Sequence, residues 1–79
     1  MPRIYVGNLA YATDEDALRK AFAAFGEVGK VQIVRSQGRS RGFGFVTMPD
    51  EQAASAAIVG LHGRELDGRI LTVNRPDQR

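Results

Sequence analysis

The stretch Arg41-Gly42-Phe43-Gly44-Phe45-Val46-Thr47-Met48 narrows the possible folds more than any other part of this 79-residue chain. It alternates as a β-strand does, with successive side chains pointing to opposite faces. Arg41, Phe43, Phe45 and Thr47 then share one face, and Val46 and Met48 the other. Val46 and Met48 already supply a core-facing set, so Phe43 and Phe45 must lie on the face turned away from the core. The same parity in Ile4-Tyr5-Val6 buries Ile4 and Val6 and leaves Tyr5 beside the two phenylalanines. The pattern predicts a sheet covered on one side, with three aromatic rings and an arginine displayed on the other.

The flanking segments supply the cover. Ile4 to Val6 is a short strand that ends at the turn residues Gly7-Asn8. Thr13-Asp14-Glu15-Asp16 then reads as a capping box: the Thr13 hydroxyl would accept from an unpaired helix N–H, and the helix dipole favours the acids. Leu18, Phe22 and Phe25 follow on one helical stripe, with Gly26 as terminator. Val31 to Arg35 is a second strand, and the polar loop Ser36 to Ser40 leads into the third. Asp50 is an N-cap for a second helix carrying Ala54, Ala57, Ile58 and Leu61. Arg64 to Asn74 reads as a hairpin turning at Asp67-Gly68 and ending in a fourth strand. Past Pro76 the chain reads as frayed. The resulting order, β-α-β-β-α-β, is α+β and ferredoxin-like: a four-stranded antiparallel sheet with both helices on one face.

Length allows one domain, expected over residues 1–79 with an ordered core at about 3–75. Cysteine is absent, which removes disulfides, thiolate metal sites and thiol nucleophiles. The single histidine, His62, lies in a loop without an acidic or thiol partner at relay or ligand spacing. No catalytic or metal site is therefore expected, nor any cofactor, and the chain is read as a non-enzyme. Ala56 to Val59 and Ile70 to Val73 are too short to cross a bilayer, and Met1 leads into patterned sequence without a cleavable signal. We expect a cytoplasmic monomer, with the nucleus and organelles as other possible locations.

Net charge is +2. Its distribution says more than its size: acids collect at the two helix starts, while Arg35, Arg39, Arg41, Arg64, Arg69, Arg75 and Arg79 occupy strand and loop sequence. Exposed rings next to arginines suit unpaired nucleic-acid bases, because a base stacks on an aromatic face and a guanidinium binds the phosphate. Duplex bases are already stacked on one another, so such a surface selects single strands. By strand parity Gln32 and Val34 on the second strand, and Thr72 and Asn74 on the fourth, flank the platform, with Arg39 and Arg75 at its edges. Gln32 and Asn74 could bond base edges. Arg64 and Arg69 read as solvating residues, and Asn8 as a turn residue held by local backbone bonds.

Two motifs give these features a family. Ile4-Tyr5-Val6-Gly7-Asn8-Leu9 and Arg41 through Met48 resemble the hexamer and octamer of the RNA recognition motif, the octamer matching at seven of eight positions. The chain is similar to that family over essentially its whole length, and to its small stand-alone bacterial-type members. The resemblance implies that Tyr5 and Phe43 stack consecutive bases, that Phe45 packs against the sugars between them, and that Arg41 pairs with a phosphate. Met48 stands where the octamer usually ends in an aromatic; it points into the core, so packing rather than binding should feel the change. The connection from Arg35 to Arg41 is short, leaving little loop to embrace a ligand. An extended strand of about two to four nucleotides is expected across the sheet. Single-stranded DNA is a variant of this reading. The competing one is a protein-interaction module built on the same sheet or on the helical face, against which the arginines around the rings argue.

Overall fold

The computed structural model describes residues 2–76. Its elements are β1 (Arg3–Gly7), α1 (Glu15–Ala23), β2 (Val31–Ser36), β3 (Arg39–Thr47), α2 (Glu51–Leu61), β4 (Glu65–Leu66), β5 (Arg69–Ile70) and β6 (Thr72–Asn74). The main sheet has the order β2-β3-β1-β6 with every neighbouring pair antiparallel, as the ferredoxin-like expectation requires. This order puts β1 and β3, the strands with the aromatic residues, in the middle.

One face of the sheet is packed. Ile4, Val6, Ile33, Val46, Met48 and Val73 meet Leu18 and Phe22 of α1 and Ala53, Ala54, Ala57 and Leu61 of α2, all buried. The alanines matter because they let α2 lie close to the sheet. Gly26 belongs to the same close packing: a Cβ there would stand 2.6 Å from that of Ala53. It is not the helix terminator, since α1 ends at Ala23 with Ala24 as its cap.

The first helix is capped by Asp14, whose carboxylate accepts from Ala17 N–H at 2.9 Å. Thr13, the expected cap, is instead buried and donates its hydroxyl to Asp67 in the β4–β5 turn at 2.7 Å. Asp50 caps α2 as anticipated, accepting from Gln52 N–H.

Both tight turns are of the primed type that matches strand twist, with two consecutive positive φ values. Asp67 and Gly68 (φ 52° and 84°) join β4 to β5, and Gln37 and Gly38 (φ 54° and 78°) join β2 to β3. The second turn replaces the anticipated loop over 36–40, so β3 begins at Arg39 and the β2–β3 ribbon runs two residues further than the pattern suggested. The final strand is not continuous with the hairpin. Leu71 drops into the core between β5 and β6, and β4–β5 forms a separate two-stranded sheet. Met1 and residues 77–79, including Arg79 and the stretch read as frayed, lie outside the described residues. Among the described residues, no helix is long and apolar enough to cross a membrane.

Candidate nucleic-acid interface

The uncovered face carries the rings that strand parity assigned to it. Tyr5 pairs across the ladder with Phe45, and Gly7 with Phe43. This register brings the three rings together: Tyr5 lies 6.0 Å from Phe43 and 6.0 Å from Phe45, centroid to centroid, and Phe43 lies 6.3 Å from Phe45. The last two pairs meet edge to face, the arrangement that the ring quadrupole favours. All three rings are half-buried, supported from below and exposed above. Gly7 supplies part of that support, because the Tyr5 ring lies down over it. A Cβ at position 7 would come within 2.6 Å of the Tyr5 hydroxyl oxygen and 2.8 Å of the ring.

Arg3 shares the parity of Tyr5 and adds a cation, with its guanidinium 4.3 Å from the centroid of the Phe45 ring. Arg3 is not among the residues expected from sequence, although the alternation of β1 contains the signal. At the opposite end of β3 the alternation breaks. Ile33 pairs with Gly44 but Arg35 pairs with Ser40, so Arg41, Gly42 and Phe43 together face Val34 alone. This bulge is built on Gly42, whose φ of 83° suits glycine. Arg41 still reaches the groove beside Tyr5 and Phe43, through the bulge rather than through strict alternation.

The flanking residues divide. Gln32, opposite Phe45, and Thr72, opposite Gly7, are exposed on the platform side. Asn74 pairs with Tyr5, and its Oδ1 is buried without a hydrogen-bond partner among the described residues. Val34 is half-buried at the bulge, and Arg39 is exposed at the tip of the β2–β3 ribbon. Arg75 does not sit at the platform's edge. It follows β6 with the parity of buried Val73, which turns it toward the helices, where it donates to both carboxylate oxygens of Glu51 and, at 3.0 Å, to Ser55 Oγ.

The other edge strand repeats this arrangement. Arg35 of β2 donates to Glu15 at 2.5 and 2.8 Å. Each helix thus offers its first-turn glutamate to an arginine from the sheet edge beneath it. The Arg35 bonds hold the Glu15 carboxyl down to about 2, from an ordinary 4.5, and the Arg75 bonds lower that of Glu51 in the same direction. These pairs occupy two helix-start acids away from the platform. Arg39 and Arg41 form no ion pair among the described residues.

Two assignments change role. Asn8 takes a left-handed conformation (φ 61°), as a turn residue should, but its side chain bonds across the molecule. Its Nδ2 donates to Ile70 O at 2.6 Å, and its Oδ1 accepts from Arg69 at 2.5 Å. Arg69 is thereby held at the groove that also contains Tyr5, Phe43 and Arg41 instead of being a detached surface charge. His62, expected as a plain loop residue, uses Nδ1 to accept from the Val73 N–H of the edge strand β6 at 3.0 Å. Among the described residues, no cluster of three or more His, Cys, Asp or Glu is placed to hold a metal ion.

Comparison with known proteins agrees with the geometry. Residues 4–72 match the model of the RNA recognition motif. Glycine-rich RNA-binding protein 7 of Arabidopsis thaliana is 53% identical over 98% of this chain and 45% of its own length. The mitochondrial glycine-rich RNA-binding protein 3 of the same plant is 48% identical over 98% of this chain and 26% of its own length. The chain thus spans about half or less of the length of these curated relatives. The crystal structure of RNA binding protein PG1 superposes with a TM-score of 0.91 at 42% identity, covering 100% of this chain and 98% of that one. With both motifs on adjacent central strands and the match running through all the principal elements, this chain belongs to the RNA recognition motif family.

Proposed function

We propose that the chain binds single-stranded RNA across the open face of its sheet, by stacking first and phosphate pairing second, without catalysing a reaction. The observation that carries this reading is the cluster of Tyr5, Phe43 and Phe45 on the two central strands, with Arg41 beside it free of any acidic partner among the described residues. Stacking contributes roughly 1–3 kcal/mol per base and tolerates any sequence, since every base has a π-face. In this reading Tyr5 and Phe43 receive consecutive bases. Arg3 already lies over Phe45, so a base on that face would have to displace it, whereas sugar and phosphate can meet the pair without doing so. That supports the sugar-packing role for Phe45. Arg41 binds a phosphate, and Gln32, Val34, Thr72 and Asn74 line the track. Asn74, half-buried opposite Tyr5, supports a base-edge contact there, because its amide carries both a donor and an acceptor. Arg75, held by Glu51, has no part in this proposal. We place the protein in the cytoplasm, as a monomer that takes part in RNA metabolism or post-transcriptional regulation; single-stranded DNA would use the same rings.

The test is a fluorescence-anisotropy titration of a labelled random-sequence single-stranded RNA on the native protein and on Phe43→Ala/Phe45→Ala, with circular dichroism to check folding. Native binding that the folded double variant loses by at least roughly 1–3 kcal/mol, the stacked base on Phe43, with the sugar contact of Phe45 lost in addition, is the expected result. Equal binding by the two proteins would transfer attention to the sheet as a protein-docking surface.

A further inference from the structure

Tyr11 is the one aromatic residue that neither the core nor the platform employs. It is 82% exposed. Its loop is nevertheless tied down on both sides: Leu9 is buried and donates its N–H to Gly42 O at 2.8 Å, while Thr13 is buried, bonds Ala10 O through its N–H and bonds Asp67 through its hydroxyl. Tyr11 is therefore held outward at the apex of a short fixed turn, and little ordering entropy remains to be lost if a ligand packs on it.

Two concavities meet at this ring. One, of about 330 Å³, contains Tyr5, Phe43, Arg41 and Arg69. The other, of about 460 Å³, contains Arg35, Arg39 and Ser40 at the base and tip of the β2–β3 ribbon. Arg35 is taken by Glu15, but Arg39 is not paired among the described residues. A path leading off the platform past Phe43 thus meets the Arg41 cation, an exposed aromatic face and the Arg39 cation, with no unpaired acid among the residues lining it. That sequence of groups fits a continuing single strand of nucleic acid, whose repeat is a planar base alternating with a negative phosphate.

We propose that Tyr11 is an additional base-stacking residue that extends the RNA track beyond the three-ring platform, with Arg39 binding the phosphate past it. The proposal rests on the platform reading and deepens it, and RNA length separates the two. A trinucleotide fills the platform; a heptanucleotide also reaches Tyr11. Random-sequence pools of both lengths are titrated against native protein, Tyr11→Ala, Tyr11→Phe and Phe43→Ala. Tyr11→Ala should weaken the heptanucleotide by at least about fivefold, the lower bound for one stacked base, and leave the trinucleotide unchanged, whereas Tyr11→Phe keeps native affinity for both. The chain contains no tryptophan, so Tyr11→Trp installs a single indole whose emission should be quenched by the heptanucleotide and not by the trinucleotide. Native heptanucleotide affinity in Tyr11→Ala, or an equal loss for both lengths, overturns the proposal. Native affinity in Phe43→Ala for both lengths overturns the platform reading, and this one with it.

Discussion

The two faces of the central strands have the same backbone and opposite duties. On β1 and β3 the residues Ile4, Val6 and Val46, with Met48 just past the end of β3, are buried against the helices, while their neighbours Tyr5, Phe43 and Phe45 form a half-buried platform on the other side. The helix-covered face is closely filled, down to alanines and a glycine that set how near α2 can approach. The open face is filled in one layer only, ring against ring, with cations at both ends. Stability and the proposed recognition thus fall to alternate residues of the same strands, and substitutions on one face should leave the other face's property largely intact.

The harshest trial of that separation is Phe22→Ala on the covered side. It empties the largest fully buried side chain and should cost about 3–5 kcal/mol, a large part of the roughly 4–12 kcal/mol expected for a domain this size. Urea denaturation should show the loss, while the fraction that remains folded binds RNA with native affinity; weakened binding by that fraction would mean that the faces are coupled.

A finer contrast sets Arg41 against Arg75. Arg41 lies in the platform groove and Arg75 is held by Glu51 on the helical side. With two or three phosphates neutralised, the log–log salt slope of RNA binding should be about −1.4 to −2.1, and Arg41→Ala should make it shallower by about 0.7 and weaken binding by about 1 kcal/mol. Arg75→Ala should leave the slope unchanged. A change of slope in Arg75→Ala would show that the arginine leaves Glu51 to meet the ligand.

The smallest effect belongs to the two edge pairs. The folded-state values of Glu15 and Glu51 lie below the ordinary one, so their contribution is present above about pH 4.5 and is lost as pH falls through the depressed values, for Glu15 about 2. Thermal melting between pH 5 and 2 should decline less steeply in Glu15→Gln than in the native protein. Because both partners are substantially exposed, solvent screening keeps the difference small. Parallel declines in the two proteins would show that the pair contributes nothing to folding.

What the chain determined by itself was the parity of its strands and the stripes of its helices. Side-chain alternation is a local property of extended backbone, so Arg41 to Met48 and Ile4 to Val6 announced which residues go inward and which outward before any partner strand was known. The same rule contained Arg3 and the inward direction of Arg75, although neither was drawn from it. Only the tertiary structure decided the remainder. Thr13 meets Asp67, 54 residues away, and Asn8 meets Arg69 and Ile70, 61 and 62 residues away. Those contacts lift Thr13 from capping duty, fasten the β4–β5 hairpin beside the platform and bring Arg69 to its groove. The bulge at Gly42 likewise depends on where β2 pairs with β3, and register across a ladder is a matter of two segments, not one. Local periodicity could place the rings on a face; the arrangement of polar groups around them came from residues that meet only when the chain has closed.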